Sequence, residues 1–540
     1  MTTPQDFIIR TEDIRPEEIL DLFVPIQRDR EIVDKLKSTT PIILEGSRGT
    51  GKSLLLRVCE QEQFKEFGQA KVLPVYVSFV RSSLLNTSDP RQFQHWMLAR
   101  LCSRITRVLG ERGFNTKDVA AIRVLIGGEP EKPGAPTKLE SLAQQFEDSY
   151  KTPGAEIDTS QLPSVDLFKE AIEDLCRALD IRRLNVLFDE ATHIFRPEQQ
   201  RQFFTLFRDL RSPYMTCNAA VYPGVTSYGD SFETVHDAQI VSLHREITSP
   251  DYVAQMQEVV FKQAEAKLQE AISRRRNNFA ALAYAVSGNP RLLLKTIASA
   301  GSLTTSEIEK VIREFFRFTI WSEHSGLVDR YPGHKALIDW GRDFIERHVI
   351  PETNQKNQTR ITGERSERTC YIWVHRDAPE AVREALRLLM YTGVITKLDS
   401  GVVATRSELG TRYSVNIGCL AATGSAPIAY ILDLMRGLGV KRFTEYGANF
   451  SAFSDIAKRV GDIVEADIST ALVTLLKKPV SVLDLSTYQK GALNSIGIDS
   501  IGKALKSTEA DFKRALYIGP KRSRRIMNVV TAAVYEYLSG

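Results

Sequence analysis

PIILEGSRGTGKSLLLRVCE, residues 41–60, changes its local pattern twice. Ile42 to Glu45 reads as a short buried strand. A glycine-rich loop follows, and the residues from Lys52 onward read as a helix. The loop matches GxxxxGKS through Gly46, Gly51, Lys52 and Ser53, with Gly49 as an extra glycine inside it. Such glycines permit backbone conformations that aim successive N–H groups at phosphate oxygens, Lys52 would reach the β- and γ-phosphates, and Ser53 would ligate Mg²⁺. Leu54 completes the nucleotide-contacting set. ATP and Mg²⁺ are therefore the expected cofactors.

A phosphate loop alone does not specify hydrolysis. RRLNVLFDEATHIF, residues 182–195, supplies the next part. Leu184 to Phe188 is apolar except for Asn185, which suits a buried parallel strand. At its carboxyl end Asp189 can hold Mg²⁺ through water, and Glu190 can polarise the attacking water. A helix from Pro197 to Arg211 and a third buried strand ending near Tyr222 follow.

This order resembles the AAA+ class of ATPases. The class places a polar sensor just past the third of these strands, and Thr226 or Tyr222 is the candidate. It also places an arginine finger at the end of the intervening helix, for which Arg211 or Arg208 fits; a cation favourable to the helix dipole is the alternative. SGNPR at 287–291 resembles the second sensor of AAA+ lid domains, whose arginine, here Arg291, approaches the γ-phosphate. LFVPIQRDREIVDKLKS at 22–38 resembles the adenine-cradling segment of the origin-recognition branch, with Val24, Pro25 and Ile26 as apolar contacts. The resemblance to ATPases related to origin-recognition initiators covers residues 20–300. It implies catalytic roles for Lys52, Glu190, Arg291 and Arg211. Residues 110–180, rich in Pro, Gly and charge in parts, read as an insertion or mobile loop.

Downstream, DAPEAVREALRLLMYTGVI at 377–395 is an amphipathic helix running into two strands, a helix-plus-hairpin order that resembles a winged helix. An α/β packing module is the alternative. Arg360, Arg365 and Arg368 precede the helix, and Lys397, Arg406 and Arg412 lie on the wing. The last domain resembles the C-terminal domain of bacterial RNA polymerase alpha subunits, through LDLS at 483–486, LNSIGIDSIGKAL at 493–505, STEADF at 507–512 and IGPKRSRRI at 518–526. Ser507 reads as a helix start. The turn at Gly519-Pro520 should present backbone N–H groups to a phosphate, with Lys521, Arg522, Arg524 and Arg525 adding charge. Tyr488 and Gly491 stand where that domain carries its groove-reading arginine and asparagine, which argues against base readout.

The expected fold is an α/β P-loop AAA+ core (1–249) with a helical lid (250–303). A winged-helix-like α+β domain (304–425), a helical linker (426–470) and a small all-α helix-hairpin-helix domain (471–540) follow. Net charge is +4 over 540 residues, yet residues 470–540 carry 11 Lys and Arg against 5 Asp and Glu. A basic appendage on a near-neutral body points to a polyanion. The six cysteines form no CxxC pair, which speaks against a disulfide framework or zinc site; His193 and His244 read as ordinary histidines. No apolar run reaches the ~20 residues of a membrane span and no signal peptide opens the chain, so a cytoplasmic protein is expected. The expected activity is ATP hydrolysis coupled to duplex DNA binding with little sequence preference, in a chain that could form homo-oligomers. The alternative is a nucleotide-switched signalling or assembly scaffold, of phage-defence or transposition type, whose C-terminal modules hold a protein effector.

Overall fold

The computed structural model describes residues 7–538, except 82–84, 86–88, 90, 117, 130–134, 153, 192–196, 224–225, 227, 230–231, 235, 331–333, 362–366, 406, 457–475 and 484. His193, Arg365 and Arg406, and the side chain of Arg360, lie outside the described residues. The chain divides into two compact units. The first comprises Met1–Ala271 with Gly288–Gly301, and the second Ile272–Ser287 with Ser302–Gly540.

The first unit is built on a parallel sheet of β1 (Ile42–Glu45), β2 (Val72–Ser78), β3 (Arg183–Asp189), β4 (Met215–Val221) and β5 (Gln239–Ser242), in the order β2-β3-β4-β1-β5. Pro74, which cannot donate to a ladder, sits on the edge strand β2. The strand β4 lies between β1, which carries the phosphate loop, and β3, which carries the acids. Their carboxyl ends therefore open on the same edge, the usual place for a ligand in such sheets. The sheet interior is mostly apolar, and its buried polar groups are paired: Arg183 Nη1 donates to Thr216 Oγ1 at 2.8 Å, and two asparagines form an amide pair. Asn218 Nδ2 donates to Asn185 Oδ1 at 2.8 Å, and Asn185 Nδ2 donates to Gln63 Oε1 at 2.7 Å and to Leu36 O at 3.0 Å. Buried polar groups are tolerated when paired in this way.

The described part of residues 110–180 is largely helical where a mobile loop was one expectation. It holds the helices Ala121–Ile126, Lys138–Asp148 and Val165–Ala178. Leu139, Leu142, Ala143 and Phe146 bury one stripe of the second helix, and Phe168, Ile172 and Leu175 bury one stripe of the third. Each large side chain so buried contributes about 1.5–3 kcal/mol, which outweighs the turn-forming residues between the helices.

In the second unit, β6 (Tyr371–His375), β7 (Ile395–Val403), β8 (Leu409–Val415) and β9 (Thr444–Tyr446) form a sheet in the order β7-β8-β6-β9. A helix, Glu380–Thr392, leads into the antiparallel β7–β8 hairpin. The basic residues of this region are engaged within the chain, Arg368 with Asp433 and Arg412 with Asp399, while Lys397 is exposed. The stretch read as a helical linker differs from that reading. Its helix Pro427–Gly437 is followed by β9, which pairs in parallel with β6, and Tyr446 buries its ring 5.0 Å from that of Phe344. The expected lid region is helical throughout, but Ile272–Ser287 groups with the second unit and Gly288–Gly301 with the first.

The C-terminal segment packs the helices Thr487–Ser495, Ile501–Lys506, Glu509–Phe512 and Pro520–Leu538 around Leu493, Ile501, Phe512, Ile518, Ile526 and Val530. The third helix starts at Thr508, not Ser507. Thr508 forms a reciprocal capping box with Asp511, whereas Ser507 ends the preceding helix.

Candidate nucleotide site and basic turn

The phosphate loop takes its shape from its glycines. Gly49 and Gly51 lie at φ +86° and +107°, where a side chain is strained. A Cβ at Gly49 would also come within 2.8 Å of both Arg291 Cβ and Asn289 Oδ1. That closeness has a purpose in the fold. Asn289 caps the helix Pro290–Ala298 by accepting the Leu292 N–H, and its Nδ2 donates to Arg48 O at 2.8 Å. The SGNPR turn is thereby fastened to the phosphate loop.

A cavity of about 320 Å³ runs along this contact. It is lined by Gly49, Gly51, Lys52, Ser53 and Leu54, by Asp189 and Glu190, by Tyr222, and by Arg291. Lys52 opens the helix Lys52–Ala70. Its Nζ donates to Gly46 O at 2.5 Å and to Ser47 O at 3.0 Å, and lies 4.1 Å from the centroid of the Tyr222 ring. Burial pushes its pKa down to about 8.

Asp189 is buried at the end of β3. Tyr76 Oη donates to its Oδ2 at 2.6 Å and the Glu190 N–H to its Oδ1 at 2.9 Å. Burial, reinforced by the charge of Glu190, raises its carboxyl above the usual range, and the Ser53 hydroxyl bonds it in opposition. Glu190 itself sits at φ +59°, a left-handed conformation uncommon outside glycine. A hydroxyl and a carboxylate are hard oxygen donors of the kind Mg²⁺ takes with phosphate oxygens. Among the described residues no cluster of three or more His, Cys, Asp or Glu could hold a metal unaided.

Arg291 lines the cavity beside Gly49 of the loop. Its Nε donates to Ile9 O at 3.1 Å, and burial lowers its pKa. Ile8 exchanges two hydrogen bonds with the Gln263 side chain, at 2.8 and 3.3 Å. The N-terminal wall of the cavity is consequently Ile8–Ile14 with Leu22. Val24 and Pro25 do not line it: Val24 is buried elsewhere in the core, and Pro25 is exposed. Thr226 does not line it either; its hydroxyl donates to Tyr222 O at 2.8 Å, and Tyr222 itself lines the cavity. Arg211 is exposed beyond the helix Pro197–Asp209 and away from this cavity, and Arg208 pairs with Asp209.

One contributor escaped the sequence reading. Arg245, after β5, donates to Thr50 O and to Asp29 Oδ2, both at 2.7 Å, with both side chains nearly inaccessible. It ties the loop to the helix Gln27–Lys37, and no motif marks it.

At the basic turn the left-handed residue is Tyr517, at φ +55°, rather than Gly519. Arg522 Nη1 donates to Tyr517 O at 2.8 Å, and Arg524 pairs with Glu509 at 3.1 Å. Lys521 and Arg525 are exposed one helical turn apart.

The model of the ORC-CDC6-like family matches residues 8–317. Among solved structures, the Aeropyrum pernix ORC1 protein in complex with DNA is similar at 12% identity, over 78% of this chain and 95% of that one, with a TM-score of 0.31. The Aeropyrum pernix ORC2 protein (ADPNP-ADP complexes) is similar at 12% identity, over 80% and 96%, with a TM-score of 0.33. No curated protein matches the chain. With its phosphate loop, acid pair and SGNPR arginine all inside the matched residues, this chain belongs to the ORC-CDC6-like family.

Proposed function

We propose that the chain is an AAA+ ATPase that attaches to duplex DNA through its C-terminal modules, with nucleotide state controlling the attachment. The observation that carries the ATPase reading is the convergence of Lys52, Ser53, Asp189, Glu190 and Arg291 on one cavity. Lys52 and the loop N–H groups would hold the phosphates. Ser53 and Asp189 would hold Mg²⁺, which when bound neutralises charge on the transferred phosphoryl group. Glu190 would hold the attacking water, and Arg291 would meet the γ-phosphate. Glu190→Gln should retain ATP binding and lose turnover by about 10²-fold or more. Turnover at the native rate would remove Glu190 from this role.

The DNA reading rests on the C-terminal segment, where Lys521 and Arg525 stand exposed beside a helix N-terminus. Phosphate contacts of this kind give little sequence preference and a steep salt dependence. Lys521→Ala with Arg525→Ala should weaken duplex binding and flatten its salt slope by about 2. An unchanged affinity and slope in the full-length double variant would reject the attachment.

A further inference from the structure

The turn before the last helix holds two apolar side chains out in solvent. Leu516 is 73% exposed and Tyr517 is 75% exposed, although their neighbours Ala515 and Ile518 are buried. A tyrosine at φ +55° occupies a backbone region that bulky residues rarely enter. Two long side chains fix it there. Tyr488 Oη donates to Leu516 O at 2.6 Å, and Arg522 Nη1 donates to Tyr517 O. Neither Leu516 nor Tyr517 joins the core cluster of this segment. The geometry is thus maintained from outside the pair, at the expense of backbone comfort, and its product is an exposed aromatic and an exposed leucine side by side.

The surroundings indicate what they meet. No acidic residue lies between Asp511 and Glu536, whereas Lys513, Arg514, Lys521, Arg522, Arg524 and Arg525 all fall in that interval. Gly519 has neither a left-handed backbone nor any atom within 4 Å of the place its Cβ would occupy. The backbone there is open to close approach by a ligand. An apolar pair in a cation-rich stretch of chain, with Arg522 bonded to Tyr517 O, matches a polyanion with accessible flat apolar faces. A nucleic acid has both, but an uninterrupted duplex hides the faces inside its stack.

We infer that Leu516 and Tyr517 form a wedge that stacks on unpaired or unstacked bases while the flanking cations hold the phosphates. The C-terminal segment then binds DNA more tightly at an opened step than along continuous duplex. This rests on the proposed attachment of the same turn to DNA. Apolar wedges at base steps and aromatic stacking on single bases both operate by this physics.

The test compares the full-length chain on a short duplex and on the same duplex with a central run of mismatches, by fluorescence anisotropy. A 2-aminopurine in the mismatched run reports stacking. The mismatched DNA should bind on the order of tenfold more tightly, with quenching of the 2-aminopurine. Tyr517→Gly adopts the left-handed backbone without strain, so it keeps the turn and removes only the ring. It should bring the mismatched DNA to the duplex affinity, and Tyr517→Trp should restore the difference. Equal affinity of the native chain for both DNAs, or a preference that survives Tyr517→Gly, overturns the wedge and assigns the pair to a protein partner or to none. Absence of binding to either DNA overturns the attachment itself, so the two failures are distinguishable.

Discussion

The ammonium group of Lys52 lies in the wall of its cavity, with the residue 7% exposed, and burial lowers its pKa from 10.5 to about 8. Triphosphate binding needs the charged form. Above pH 8 the free protein must take up a proton when nucleotide binds, so ATP affinity should fall, by up to about tenfold per pH unit. The fold responds with the opposite sign. Between pH 8 and 10.5 the unfolded chain binds more protons at this lysine than the native one, so stability from this group rises with pH across that window. Titrating ATP by calorimetry from about pH 7 to about pH 9.5 checks the first statement, and an affinity flat over that range contradicts it. The shared place of Lys52, Ser53, Asp189 and Glu190 at the cavity was legible in the sequence because it follows from local spacing and from the end of one strand. Tyr76, which bonds Asp189 from a neighbouring strand 113 residues away, was not, because only the sheet brings the two together.

Between elements, Arg245 is a buried tie at the site. It joins the phosphate loop at Thr50 O to the helix Gln27–Lys37 at Asp29, with little solvent at either bond. Arg245→Met keeps much of the volume but leaves Asp29 buried and unpaired, which should cost about 3–5 kcal/mol. Pairing it with Asp29→Leu should recover most of that stability while leaving Thr50 O without its Arg245 bond, so ATP affinity should stay low. Thermal unfolding and nucleotide titration of both variants separate the two effects. If the double variant binds ATP normally, the bond to Thr50 is idle. The helix Lys138–Asp148 shows a different lesson about legibility. Thr137 and Glu140 spell a capping box, and Leu139, Leu142 and Phe146 follow at helical spacing, so the helix was present in the sequence. By contrast β9 is three residues long, and its place beside β6 is set by tertiary packing around Tyr446 and Phe344.

At the scale of the molecule, Arg211 is exposed and lines no part of the chain's own nucleotide cavity. A finger role for it therefore requires a second copy. If that role holds, ATPase rate per molecule should rise with protein concentration, and Arg211→Ala should lower the plateau on the order of 10³-fold while sparing ATP affinity. A specific activity independent of concentration would leave Arg211 as a helix-terminal cation. The phosphate loop, the acidic strand end and the SGNPR turn were readable because each carries its own local signature. The grouping of Ile272–Ser287 with later residues, and of Gly288–Gly301 with earlier ones, depends on contacts between segments distant in sequence.

The bonds from Arg291 to Ile9 and from Gln263 to Ile8 have a practical consequence at the bench. Arg10 is exposed, and it is the sole site for trypsin before Arg28, because Arg15 precedes a proline. A nucleotide that draws Arg291 toward its γ-phosphate changes the anchorage of Ile9, one residue from that peptide bond. Limited trypsinolysis, read as loss of the first ten residues in a mass spectrum, becomes a label-free reporter of what the cavity holds. An affinity tag is better placed at the other end of the chain.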